Sequence, residues 1–248
     1  MDRKHWDNIF ENYNTEIFDV LKNDKNEIIK SYINNISSSK KTVADFGCGI
    51  GKWLPTLSKQ FMEVFAIDFS SSNMECCEKK YKSLKNINFL TIDMTHDWKS
   101  PHHFDVILCV NAILNEALSE RTVFFNNISA NLSTNGHLVL VVPSLESALF
   151  SGFVLEKCNR KKGLNTRRSN GTISKNEHVK FKQGVINIDK VPTKHYLKEE
   201  LISTLNDIGF NITKIDKAEY SWNTEIENPP KSLKAPYPWD WVVMATKN

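Results

Sequence analysis

The chain has 248 residues, of which 40% are apolar and 25% charged, ordinary globular usage that excludes disordered, collagen-like and membrane-spanning classes and favours one sizeable domain carrying insertions. A formal net charge of +3 is too small to signal nucleic-acid binding by itself. No stretch reaches the roughly 20 apolar residues of a bilayer span, the polar start MDRKHWDNIFENYN lacks a secretory pattern, and the five cysteines, odd in number and without C-x-x-C spacing, fit a reducing cytoplasm.

Over residues 5–35, Ile9, Phe10, Tyr13, Ile17, Val20, Leu21, Ile28 and Ile29 recur every three or four positions, which predicts one or two helices. The short apolar run Thr42 to Phe46, followed by glycines, predicts a buried first strand entering a turn, with a helix through Trp53, Leu54, Leu57 and Phe61 behind it. The pattern repeats as strand Val64 to Ile67, helix Ser71 to Tyr81, strand Ile87 to Ile92, strand Phe104 to Val110, helix Ser119 to Leu132 and strand His137 to Val142. Alternating strands and helices imply an α/β doubly wound parallel sheet with helices on both faces. Beyond Pro143 the alternation stops until about Gln183, in a stretch rich in Lys, Asn, Ser and Gly that reads as an insertion or lid. A helix from Tyr196 to Ile208 resumes the pattern, followed by strands from Phe210 to about Tyr220 and from Trp239 to Thr246.

Four segments carry chemistry. In Val43-Ala44-Asp45-Phe46-Gly47-Cys48-Gly49-Ile50-Gly51, the glycines lie where a strand turns into a helix, so the backbone can approach a ligand closely and the helix start offers N–H groups. A dinucleotide fingerprint places its third glycine where this chain has Lys52. In Phe65-Ala66-Ile67-Asp68-Phe69-Ser70 an acid ends the second strand, where a carboxylate can accept hydrogen bonds from ribose hydroxyls. The other two are Phe89-Leu90-Thr91-Ile92-Asp93-Met94, after the third strand, and Phe104 to Leu114, through Val110 and Asn111 at the end of the fourth.

In this order and on these elements, the segments resemble the motifs of class I S-adenosylmethionine-dependent methyltransferases, over roughly residues 40–145 and 195–248. The resemblance implies a seven-stranded, mostly parallel sheet with an antiparallel last strand. It implies one domain, divided into an N-terminal helical cap (1–40), a cofactor-binding core (41–145), an insertion or lid (146–194) and the C-terminal part of the sheet (195–248). The implied cofactor is S-adenosylmethionine, held by Asp45, Gly47, Gly49, Gly51, Asp68, Phe69, Asp93, Met94 and Val110, with no metal. Asp68 would anchor the ribose, and Asp93 and Met94 the adenine.

Catalytic candidates are Asn111, His195 and Tyr196, with His178 and Glu116 as further possible bases. Each has a plainer reading. Asn111 could cap a helix ahead of Ile113 and Leu114, and a histidine before a helix is more often structural. Trp6 and Tyr13 could fold over a sulfonium or simply pack, and Trp222, Trp239 and Trp241 read as packing residues. A small-molecule acceptor is expected, since no separate RNA-binding or peptide-binding module is visible. The alternatives are a tRNA or protein substrate met by the basic segment 157–182, and a non-catalytic cofactor-binding subunit.

Overall fold

The structure is a computed structural model that describes residues 18–161, 183–188 and 191–248. In chain order it contains α1 (Val20–Asn23), α2 (Ile28–Ile36), β1 (Thr42–Phe46), α3 (Leu54–Gln60), β2 (Glu63–Asp68), α4 (Ser71–Tyr81) and β3 (Ile87–Thr91). Next come β4 (Phe104–Val110), α5 (Leu118–Asn131), β5 (Leu132–Pro143), α6 (Leu145–Lys161), β6 (Val185–Ile188) and β7 (Val191–Lys194). The chain ends with α7 (Lys198–Asp207), β8 (Phe210–Glu219) and β9 (Trp239–Lys247).

Seven strands form one sheet in the order β3-β2-β1-β4-β5-β9-β8. Strands β1 to β5 pair in parallel, and β9 lies antiparallel to both β5 and β8, so only the last strand is reversed. Side chains alternate across each strand, which divides the core in two. Val43, Val106, Leu108, Val139, Val141 and Val242 point to the face covered by α2, α3 and α4, where Ile33, Leu57 and Cys77 meet them. Ala44, Ile107, Cys109, Leu138, Leu140 and Val243 point to the other face, against Phe125 and Ile128 of α5 and Leu201 and Leu205 of α7. Each such aliphatic side chain contributes about 1.5–3 kcal/mol by leaving water, which explains why these strands carry almost unbroken apolar runs.

The order β3-β2-β1-β4-β5 reverses direction between β1 and β4. In open α/β sheets, ligands bind at that switch point, beyond the carboxyl ends of the strands. The first glycine turn follows β1 and Asn111 follows β4, so both stand at this crevice.

Two parts differ from the sequence reading. Immediately after Pro143 the chain forms α6 instead of a loop. Its start is polar because those side chains close the turn: Ser144 Oγ accepts from Ser147 N at 3.0 Å and donates to Glu146 at 3.1 Å. Val154 and Phe150 then pack against Trp222 and Ile226. Further on, β6 and β7 form a two-stranded antiparallel hairpin. Trp6, Tyr13, His178 and residues 162–182 of the basic segment lie outside the described residues. Among the described residues no helix is long and apolar enough to cross a membrane.

Candidate active site

The glycine turn is built by its own backbone. Gly47, Gly49 and Gly51 have φ of 76°, 53° and 73°, a region that side-chain-bearing residues occupy at a cost. Gly47 N and Cys48 N both donate to Ile67 O, at 2.8 and 3.0 Å, and Gly49 N donates to Asp68 Oδ2 at 2.9 Å. Asp68 Oδ1 accepts from Ser70 N at 2.9 Å, and Asp68 O accepts from Ile92 N at 2.9 Å. The ends of β1, β2 and β3 are thus bonded into one rim, with the Asp68 carboxylate at its centre.

The glycines divide their work. A Cβ on Gly47 would lie 2.3 Å from Ala112 Cβ, so this glycine lets the turn after β1 touch the turn after β4. A Cβ on Gly51 would lie 2.6 Å from Leu54 and 2.8 Å from Tyr81, so Gly51 serves the packing of α3 and α4.

Asp45, at the end of β1, is 2% exposed and its Oδ2 has no partner among the described residues. Burial, reinforced by the neighbouring Asp68, pushes its carboxyl up to about 8. Asn73, near the start of α4, is also buried with an unpaired Oδ1. A buried acceptor without a donor at the end of β1 and another in the first turn of the helix after β2 suit a ligand carrying a cation and hydroxyl groups. Methionine-type ammonium and ribose hydroxyls fit that description.

Asp93 closes a turn after β3, with Oδ1 accepting from Thr95 N at 2.9 Å and Thr95 Oγ1 at 2.7 Å. Met94 is buried in the core, its carbonyl accepting from Asn127 Nδ2 at 3.0 Å. Phe69 and Val110 are half-buried at the ends of β2 and β4.

Asn111 has a left-handed backbone, φ 49°, and its N–H donates to Val141 O at 2.9 Å. Its Nδ2 donates to Asp240 Oδ2 at 2.9 Å, and Tyr220 Oη donates to the same oxygen at 2.8 Å. The loop that follows is pinned by buried Arg121, whose Nη1 donates to Asn115 O and Glu116 O at 2.8 Å each.

The hairpin carries Lys194, His195 and Tyr196 against that same loop. Lys194 N donates to Leu114 O at 3.0 Å, and Tyr196 Oη donates to Ile113 O at 2.8 Å. Tyr196 is 1% exposed, so its hydroxyl is engaged in the core and positions the loop. His195 Nδ1 lies 3.0 Å from Thr193 O, a carbonyl that can only accept, which assigns the ring proton to Nδ1 and the lone pair to Nε2. Burial, above all, lowers the ring's pKa below its ordinary 6.5 and keeps the ring neutral at pH 7.

Sequence reasoning passed over Asp240, Tyr220 and Asn73. The signal for Asp240 was present: in Trp239-Asp240-Trp241-Val242-Val243 a single acid interrupts a strand that is otherwise apolar. Its partner Asn111 is 129 residues away, so only the fold could join them.

The comparisons with known proteins agree with this geometry. A family model described as "Methyltransferase domain" matches residues 43–136. No curated protein matches the sequence. Among solved structures, a SAM-dependent methyltransferase from Methanosarcina mazei is similar at TM-score 0.62 and 19% identity, covering 87% of this chain and 96% of its own. The N-methyltransferase NodS from Bradyrhizobium japonicum, in complex with S-adenosyl-L-homocysteine, is similar at TM-score 0.62 and 11% identity, covering 99% and 97%. A SAM-dependent methyltransferase from Aquifex aeolicus is similar at TM-score 0.56 and 18% identity, covering 100% of both chains. Residues 43–136 match the methyltransferase-domain model, and the chain has the Rossmann-like fold of the S-adenosylmethionine-dependent methyltransferase structures to which it is similar.

Proposed function

We propose that the chain binds S-adenosylmethionine at the crevice between β1 and β4 and transfers its methyl group to a small-molecule acceptor. The observation that carries this reading is the Asp68 carboxylate, bonded at once to the glycine turn and to the start of α4, with the unpaired acceptors of Asp45 and Asn73 beside it. The cofactor supplies an electrophilic methyl group on a sulfonium. Asp68 receives the ribose hydroxyls, Asp45 and Asn73 meet the amino-acid end, and Asp93 with Met94 borders the adenine.

The protein's part in such a displacement is positional, because an in-line transfer needs donor and nucleophile held in near-attack geometry and shielded from water. Asn111, at the end of β4, faces the acceptor side. His195 is neutral with its lone pair on Nε2, so it can take the proton of an O–H or N–H acceptor. Tyr196 fixes the loop through Ile113. A small acceptor is favoured because the described additions to the seven-stranded sheet and its covering helices are a two-stranded hairpin and helix α6 with the 3-10 turn Trp222–Thr224 that it packs against. Steep salt dependence of binding to bulk tRNA would favour the alternative that uses the basic segment 157–182.

Calorimetric titration with S-adenosylhomocysteine tests the cofactor site. The wild-type chain is expected to bind one equivalent, and Asp68→Ala to bind at least about tenfold more weakly because a charged acceptor is lost. Unchanged affinity in a folded Asp68→Ala protein would remove Asp68 from the site, and absence of wild-type binding would overturn the proposal. A metabolite-extract screen with a methyl-labelled donor then identifies the acceptor.

A further inference from the structure

The group of Asn111, Asp240 and Tyr220 has no place in holding the cofactor, yet the fold sets it at the same crevice. Strands β4 and β8 run one way and β9 the other, so the end of β4, the end of β8 and the start of β9 share the carboxyl edge of the sheet. Asp240 pairs with Pro143 on β5 and with Ala218 on β8, and Asn111 adjoins Ala112, the residue in contact with Gly47. Through Asn111 the group therefore adjoins the Gly47–Ala112 contact and extends from it towards β9 and β8, on the side away from β2 and β3.

Asp240 is 8% exposed. Carboxylates at such burial are ordinarily paired with a cation, because isolated charge is costly away from water. Among the described residues no Lys, Arg or His forms an ion pair with it. Its two donors, Asn111 Nδ2 and Tyr220 Oη, converge on one oxygen, Oδ2. No hydrogen bond from a described residue reaches the other oxygen, Oδ1, which is not fully buried and so is open to water or a ligand. Asn111, bonded to the same carboxylate, has a buried Oδ1 that is unpaired among the described residues.

Carboxylates cluster nearby. Burial first, then Asp240, and more weakly Asp24 and Glu225, push the Tyr220 phenol well above its ordinary value, so the hydroxyl acts as a donor to Asp240. Phe18 meets the Tyr220 ring edge-on at 4.6 Å. An unpaired carboxylate oxygen, an unpaired amide oxygen and aromatic rings together complement a small cation that carries several N–H donors. A neutral hydroxyl would leave the charge uncompensated, and an anion would be repelled.

We propose that Asp240 and Asn111 form the acceptor-recognition pair and that the acceptor is an amine, which docks as its ammonium on Asp240 Oδ1 and Asn111 Oδ1, passes one N–H proton to Asp240 or His195, and then uses the freed nitrogen lone pair to take the methyl group as the C–S bond breaks and S-adenosylhomocysteine leaves. This rests on the methyl-transfer reading above and deepens it by naming the substrate class.

The test uses three ligands of one shape and different charge. Benzylamine, benzyl alcohol and benzoate are titrated at pH 7 into the full chain saturated with S-adenosylhomocysteine. Benzylamine is expected to bind at least about tenfold more tightly than either of the others. The substitution Asp240→Asn keeps the oxygen to which Asn111 and Tyr220 donate and replaces only the unpaired one with an NH₂ group. It is therefore expected to erase the preference while leaving S-adenosylhomocysteine affinity and Tm unchanged. The proposal is overturned if the three ligands bind alike, if none binds, or if the preference survives in Asp240→Asn. The wild-type comparison stands whether or not the variant folds. Failure of S-adenosylhomocysteine itself to bind would instead overturn the methyl-transfer reading.

Discussion

Cofactor binding should release a proton, and the source is Asp45. Its carboxyl sits at about 8 instead of its ordinary 3.8, because burial removes water from it and Asp68 lies nearby. At pH 7 roughly nine in ten molecules then carry neutral Asp45. An ammonium placed against the unpaired Oδ2 restores the charged form, so binding at pH 7 expels up to about 0.9 proton per site, and affinity rises by up to about tenfold per pH unit below pH 8. Calorimetry in two buffers of different ionisation enthalpy measures this number directly. Asp45→Asn, which is neutral at every pH, should abolish the release and flatten the pH dependence. The unliganded protein gives an independent readout. The unfolded chain loses this proton near 3.8 while the native state keeps it to about 8, so the native state binds more protons across that window. Stability therefore falls as pH rises through it, by at most about 1.4 kcal/mol per unit, and Asp45→Asn should remove that slope. Wild-type binding at pH 7 without net proton exchange would refute the reasoning.

Two further outcomes follow from the turn and the loop. Gly47→Ala combines a left-handed φ of 76° with a Cβ placed 2.3 Å from Ala112 Cβ, far inside ordinary contact. It should destabilise the fold by about 2–4 kcal/mol, lower Tm by roughly 5–15 °C, and weaken S-adenosylhomocysteine binding in calorimetry. A variant with wild-type Tm and affinity would show that the turns after β1 and β4 do not touch. Tyr196→Phe strips the donor from buried Ile113 O and should cost about 1–2 kcal/mol in denaturant unfolding. Because the hydroxyl is engaged in the core, kcat on the identified acceptor should change by less than about tenfold, and a loss of several orders of magnitude would make Tyr196 a catalytic residue.

The legible parts of the fold are those where one local rule decides. Helix Ser71–Tyr81 and strand Phe104–Val110 have the bounds that the sequence predicts, because Ser70 caps the helix, accepting from Asn73 N at 3.2 Å, and the strand is buried on both faces. Helix α6 escaped because Ser144, Glu146 and Ser147 have loop-like composition, while their bonds to one another, to Lys198 N and to Trp239 N make them a helix start and an anchor for α7 and β9. The apolar partners that define its inner face, Trp222 and Ile226, are about 70 residues further along. A window of local sequence holds only one side of that contact.

The candidate site divides along the same line. Asp45, Gly47, Gly49 and Asp68 were readable because the turn after β1 and the acid after β2 are fixed by strand ends alone, and the hydrogen bond from Gly49 N to Asp68 then joins them. What sequence does not reveal is the missing counter-charge. Asp45 and Asp240 look like any other acids until the fold buries them and places no described cation beside them, leaving Asp45 with a fully buried oxygen that has no donor and Asp240 with both its donors on one oxygen. A buried carboxylate held in that condition costs stability, and Asp45 avoids part of the cost by keeping its proton. Asp240 has two fixed donors that favour its charged form, so burial is the only influence raising it. Burial thus raises both acids, but at Asp240 two donors on one oxygen oppose it while at Asp45 no donor does, so Asp45 is the one that holds its proton until a cation arrives.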